Sequence, residues 1–105
     1  MADEPLRVLI CDDEPGMRLI LGKLVGKAEG FEVVGEAENG EQALEMFEKT
    51  HPQVVFLDVE MPVMDGVETA RRIQDMDPHA ALIFATAHEG YREEAFAVYA
   101  FDYLV

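Results

Sequence analysis

Hydrophobic residues along this chain follow two alternating rhythms. Short, mostly apolar runs recur at 6–11 (LRVLIC), 31–37 (FEVVGEA), 53–57 (QVVFL), 80–87 (AALIFATA) and 101–105 (FDYLV). Runs of this length, rich in aliphatic side chains, predict strands with both faces covered. Between them the spacing changes to three and four. Met17, Ile20, Leu21, Leu24, Val25 and Ala28 mark a helix that opens at Pro15, a residue suited to a first turn, and stops at Gly30. Ala43, Leu44 and Phe47 mark a second, with Asn39 as its N-cap and Gln42 three residues on. Asp65 and Glu68 repeat that pairing before GVETARRIQDM, whose Val67, Ala70 and Ile73 face inward, and YREEAFAVY (91–99) reads as a fourth helix. Strands and helices that alternate with short connections predict a parallel sheet with helices on both faces, an α/β three-layer fold. No repeat, low-complexity tract or linker divides the 105 residues, so they read as one domain.

Composition narrows the partners. Half of the residues are hydrophobic and 29% are charged, a globular rather than a disordered balance. No apolar run approaches the roughly 20 residues that span a bilayer, and MADEPLRV lacks the basic and apolar regions of a signal peptide. A cytoplasmic protein without a membrane partner is expected. The single Cys11 excludes an internal disulfide and, inside the first apolar run, reads as a buried thiol. A net charge of −14 argues against this segment gripping nucleic acid directly. A solvated acidic surface explains most of the glutamates, but not the acids at the ends of strands.

In parallel α/β sheets, ligands bind beyond the carboxyl ends of the strands. Asp12, Asp13 and Glu14 follow the first strand, Asp58 ends the third, and the fourth reaches Thr86 and His88. Any one of these acids alone is an ordinary strand-end or capping residue; the signal lies in the set. With the first and third strands as neighbours, Asp12, Asp13 and Asp58 share one small volume. Their mutual repulsion raises at least one pKa unless a cation is present. Mg²⁺, with Mn²⁺ as its substitute, is the natural guest for oxygen ligands of this kind. A carboxylate beside such a cation can act as a nucleophile and form an acyl phosphate.

LICDDEP after the first strand, VVFLDVEMPVMDG around the third, IFATA at the fourth and AFDYLV at the fifth resemble the receiver domain of bacterial two-component response regulators. The resemblance covers the chain in order and spacing. It implies a flavodoxin-like fold with a five-stranded parallel sheet in the order 2-1-3-4-5. It implies that Asp58 accepts a phosphoryl group from a sensor histidine kinase. Asp13 would ligate Mg²⁺ directly, Asp12 directly or through water, with Asp58 and the backbone carbonyl of Glu60 completing the set. Thr86 would donate its hydroxyl to the phosphoryl oxygens, and Tyr103 would be the aromatic switch that turns inward as Thr86 moves. The domain would then be a signalling switch, catalysing only its own phosphorylation and dephosphorylation and changing the helix 4/strand 5 surface. The stretch TAHEGYREEAFAVYAFDYLV is similar to receivers joined to LytTR-type DNA-binding domains. That similarity implies a transcriptional output through a DNA-binding domain beyond Val105.

The family pattern also carries a lysine three residues after the strand-five aromatic and a fifth helix, and counting from Tyr103 both fall past Val105. Residues 1–105 are therefore expected to be a receiver domain cut short before its fifth helix. Self-association is expected through helix 4 and strand 5, or through the apolar surface that the fifth helix would cover. Pro62, Met64 and Gly66 read as shaping the turn into the third helix. Among rivals, an aspartyl phosphatase would need D-x-D-x-T after its first strand, and a flavodoxin a hydroxyl- and glycine-rich loop where this chain has DDEPGM. A receiver-like interaction module that accepts no phosphate is the alternative function.

Overall fold

Four strands pair in parallel, as the alternating rhythm requires, and a fifth joins them in the opposite sense. The computed structural model describes residues 4–58, 64–87 and 96–100, with residues 85–87 and 96–100 described by backbone alone. The elements run β1 (Leu6–Cys11), α1 (Pro15–Lys27), β2 (Phe31–Ala37), α2 (Gly40–Thr50), β3 (Val54–Leu57), α3 (Gly66–Met76), β4 (Ala81–Ala87) and β5 (Phe96–Ala100). The sheet order is β2-β1-β3-β4-β5. β1 pairs in parallel with β2 and β3, and β3 with β4.

β1 sits at the centre and is covered on both faces. Leu9 and Cys11 point into a core with Ala43, Phe47, Ala70 and Ile73, contributed by α2 and α3. Val8 and Ile10, one residue out of phase, meet Leu21 and Val25 of α1. The period of two thus divides one continuous apolar run between two cores. α1 buries Met17, Leu21 and Val25, but Leu24 is 54% exposed and Ala28 lies outside the helix. The expected apolar face is therefore narrower than its spacing implied, because among the described residues no second helix flanks α1 on that side of the sheet. On the same face, Phe56 of β3 and Ile83 of β4 remain only partly buried.

The helix starts follow the capping signals. Asn39 accepts a hydrogen bond from the Gln42 amide at 2.8 Å, and Asp65 accepts one from the Glu68 amide at 2.9 Å. Gly30 adopts φ +90° just after α1, a backbone region that suits glycine. Gly40, the buried first residue of α2, fits because it has no side chain: a Cβ there would stand 2.5 Å from Thr69 Oγ1 and 2.7 Å from Met64 Cβ. Thr69 is itself tied down, its hydroxyl donating to the Asp65 carbonyl at 2.8 Å. Close approach at Gly40 brings the start of α2 against the start of α3.

One expectation is overturned. Residues 96–99, read as the end of a fourth helix, belong to β5, which pairs antiparallel with β4 from Ile83↔Ala100 to Ala87↔Phe96. Only residues 88–95 connect the two strands. A parallel return needs a crossover of about a dozen residues or more, whereas an antiparallel one does not. Phe, Val and Tyr also favour an extended chain. The sheet is therefore parallel over four strands, and the strand expected at 101–105 lies outside the described residues, as do residues 91–95.

Glycine substitutions test this packing by sign. Gly40→Ala should destabilise the chain by about 1–3 kcal/mol through overpacking. Gly22→Ala, in the interior of α1 where a Cβ meets nothing within 4 Å, should stabilise it by about 0.5–1 kcal/mol. Urea unfolding of both variants measures the difference.

Candidate functional site

Strand pairing delivers three acids to one edge of the sheet. β1 ends at Cys11 and β3 at Leu57, which are register partners, so the residues that follow emerge side by side. The Asp58 amide extends this pairing by donating to the Cys11 carbonyl at 2.9 Å. One carboxylate oxygen from each of Asp12, Asp13 and Asp58 lies within 4.8 Å of the others. Asp12 is buried, Asp58 half-buried and Asp13 exposed. The cluster is thus graded from the protein interior to solvent.

Asp12 is the most constrained of the three. Its amide donates to the Ala37 carbonyl at the end of β2, 3.0 Å away. Its Oδ1 accepts from the Glu14 amide at 2.9 Å, turning the chain into α1. Its main-chain oxygen accepts from Arg18 Nη1 at 2.7 Å. Burial pushes the Asp12 carboxyl up from an ordinary 3.8 to about 7; the Glu14 amide opposes this, while the charges of Asp58, Asp13 and Glu14 add to it. Cys11, fully buried beneath the cluster, has its thiol pushed up by burial and then by the charge of Asp12. It is an inert core thiol, not a nucleophile.

The remaining predicted residues are less completely placed. Thr86 lies on β4, where its backbone pairs with Ala97. Glu60, Pro62 and Tyr103 lie outside the described residues, as does His88, a loop histidine that reads as surface rather than as part of the site. Met64 is half-buried beside Gly40, and Gly66 opens α3. His51 and His79 are exposed; His51 caps α2 in a left-handed conformation with φ 49°. Sequence reasoning missed Arg18. A basic residue one turn past DDEP, in a chain with only 8 Lys and Arg against 22 Asp and Glu, was the available signal.

The chain's likenesses agree with one another. The family model described as the response regulator receiver domain matches residues 8–105. The positive alginate biosynthesis regulatory protein of Pseudomonas aeruginosa is 44% identical over 101 residues, spanning 95% of this chain and 41% of that protein. The transcriptional regulatory protein LytR of Staphylococcus aureus is 40% identical over 100 residues, again covering 95% of this chain and 41% of the relative. The chain therefore spans well under half the length of these relatives. Among solved structures, the response regulator domain of Thermotoga maritima CheB superposes with a TM-score of 0.75 at 31% identity, covering 83% of this chain and 66% of that one. A CheX–CheY–BeF3–Mg²⁺ complex from Borrelia burgdorferi gives 0.73 at 30% identity over 87% of this chain and 67% of the other.

The Asp12 titration has a measurable consequence. The native carboxyl holds its proton to higher pH than the unfolded one, so the native state binds more protons between 3.8 and about 7. Stability should therefore fall as pH rises through that window. Asp12→Asn keeps the oxygen that accepts from Glu14 and removes the charge. It should be more stable than the parent by about 2–4 kcal/mol at pH 8 without divalent cations, an advantage that shrinks toward pH 4. Thermal unfolding across pH checks both the sign and the window.

Proposed function

Because the chain belongs to the response regulator receiver family, we propose that it is the phospho-accepting switch of a two-component system, with Asp58 as the acceptor. The observation that carries this reading is the convergence of Asp12, Asp13 and Asp58 within 4.8 Å at the carboxyl edge of a parallel sheet. All the donors are hard carboxylate oxygens, which fits Mg²⁺ or Mn²⁺. Asp13, facing solvent, would hold the ion directly, with Asp12, Asp58 and the Glu60 carbonyl as its other protein partners. Bound there, the cation would supply charge neutralisation for an incoming phosphoryl group. The BeF3 and Mg²⁺ in the Borrelia burgdorferi CheX–CheY complex support the assignment by likeness.

The chain's own chemistry is then a group transfer. An Asp58 carboxylate oxygen attacks the phosphorus of a phosphohistidine on a sensor kinase. An O–P bond forms as the P–N bond breaks, and the imidazole keeps the electron pair and takes up a proton. The acyl phosphate adds roughly one further negative charge to the site and three strong acceptor oxygens. Thr86 supplies a hydroxyl to those oxygens, and Tyr103 follows its movement, so that the outer part of the sheet changes surface. The regulatory names of the alginate and LytR relatives favour a transcriptional output, exerted through a LytTR-type DNA-binding domain elsewhere in the parent protein. Self-association would use helix 4 and strand 5, or the face on which Phe56 and Ile83 are only partly buried.

Acetyl phosphate and Mg²⁺ test the acceptor directly. Intact-mass measurement should show one phosphoryl group on the parent chain and none on Asp58→Asn, with the addition abolished by chelating the metal. Addition that persists in Asp58→Asn would sink the assignment. No addition to the parent or to a form extended beyond Val105 would favour the non-phosphorylated interaction module.

A further inference from the structure

Arg18 occupies an unusual place beside this cluster. It stands in the first turns of α1, where its amide donates to the Glu14 carbonyl at 3.1 Å. Its side chain is only 19% exposed and makes two contacts from one planar head. Nη1 donates to the main-chain oxygen of Asp12 at 2.7 Å, and Nε meets Glu36 Oε1 on β2 at 3.3 Å. The gripped oxygen belongs to the peptide unit that joins Asp12 to Asp13, so the grip fixes the plane from which the Asp13 side chain departs. Asp13 needs that support. Among the described residues none donates a hydrogen bond to its carboxylate, and it is exposed. Its place in the cluster is set by backbone alone.

We infer that Arg18 is a positioning residue: by bridging Glu36 and the Asp12 carbonyl, it holds the Asp12–Asp13 peptide so that the Asp13 carboxylate is presented to a divalent cation. The inference rests on the cation-binding reading given above. A guanidinium suits the task because its fork carries two donors in fixed relation, which a flexible ammonium lacks. The link also spans three elements, tying the end of β2 through α1 to the loop after β1.

Charge alone argues for the opposite effect. A positive group beside three carboxylates competes with a cation, so removing it should tighten Mg²⁺ binding. If orientation dominates, removing it should weaken binding, and the sign decides between the two. Calorimetric titration of Mg²⁺ into the parent chain, Arg18→Ala and Arg18→Met provides the measurement, with circular dichroism and urea unfolding confirming that each variant is folded. Met keeps a long unbranched stem and removes only the charged head. Both variants should bind Mg²⁺ about tenfold more weakly, the low end of the range for groups that orient metal ligands. Affinity unchanged or tighter in a folded variant overturns the inference and leaves the cation site standing. If Arg18→Ala does not fold, Arg18→Met decides by the same criterion. A parent chain that binds no Mg²⁺ overturns both the cation site and the role of Arg18.

Discussion

Repulsion among three carboxylates at the carboxyl edge of the sheet sets the terms for everything around them. For the buried Asp12 and half-buried Asp58, charged oxygens within 4.8 Å of each other would repel by about 3–4 kcal/mol at an effective dielectric of about 20. Charges this close tend to move apart or take up protons. Backbone anchors prevent the first: Asp58 is held to β1 through the Cys11 carbonyl, and Asp12 is held to β2 through Ala37. The second is seen at Asp12, whose carboxyl is raised first by burial and further by the charges of Asp58 and Asp13. The fold thus holds a charge density that relaxes by gaining a proton or, on the proposed reading, a cation.

That arrangement depends on the cores on either side of β1. Val8 and Ile10 fix one face and Leu9 and Cys11 the other, all fully buried. The strand cannot slip by one residue without exchanging its two sets of side chains, and a slip would carry Asp12 away from Asp58. The close approach at Gly40 serves the exit from β3, because it seats Met64 and the first turn of α3 against α2. Apolar packing therefore determines where the charges meet.

Much of this was legible in the sequence because the relevant signals are local. β1 and β2 have the bounds their apolar runs mark, and the Asn39 and Asp65 caps bond as their spacing with Gln42 and Glu68 requires. The acid set was legible too, once parallel pairing made the ends of β1 and β3 neighbours. What escaped was non-local or degenerate. Arg18 on an amphipathic helix looks like any solvated basic residue until β2 brings Glu36 beside it. Leu24 has core spacing but lies on a flank of α1 that none of the described residues covers. The residues of β5, FAVYA, suit a helix or a strand equally well by pattern; connection length, not periodicity, determines their direction.

Charge density held under constraint also explains how so small a chemical change could act as a signal. A phosphoryl group on Asp58 would join a site already crowded with negative charge, so its oxygens must recruit every donor within reach. β4 lies outside β3 in the sheet, and among the described residues β5 joins it on its far side. β1 is fully buried from Val8 to Cys11, whereas Ile83 of β4 is only partly buried, so a shift at β4 would disturb less packing. With the acids fixed on the inner strands, a response on the proposed reading would pass outward, toward the surface of β4 and β5.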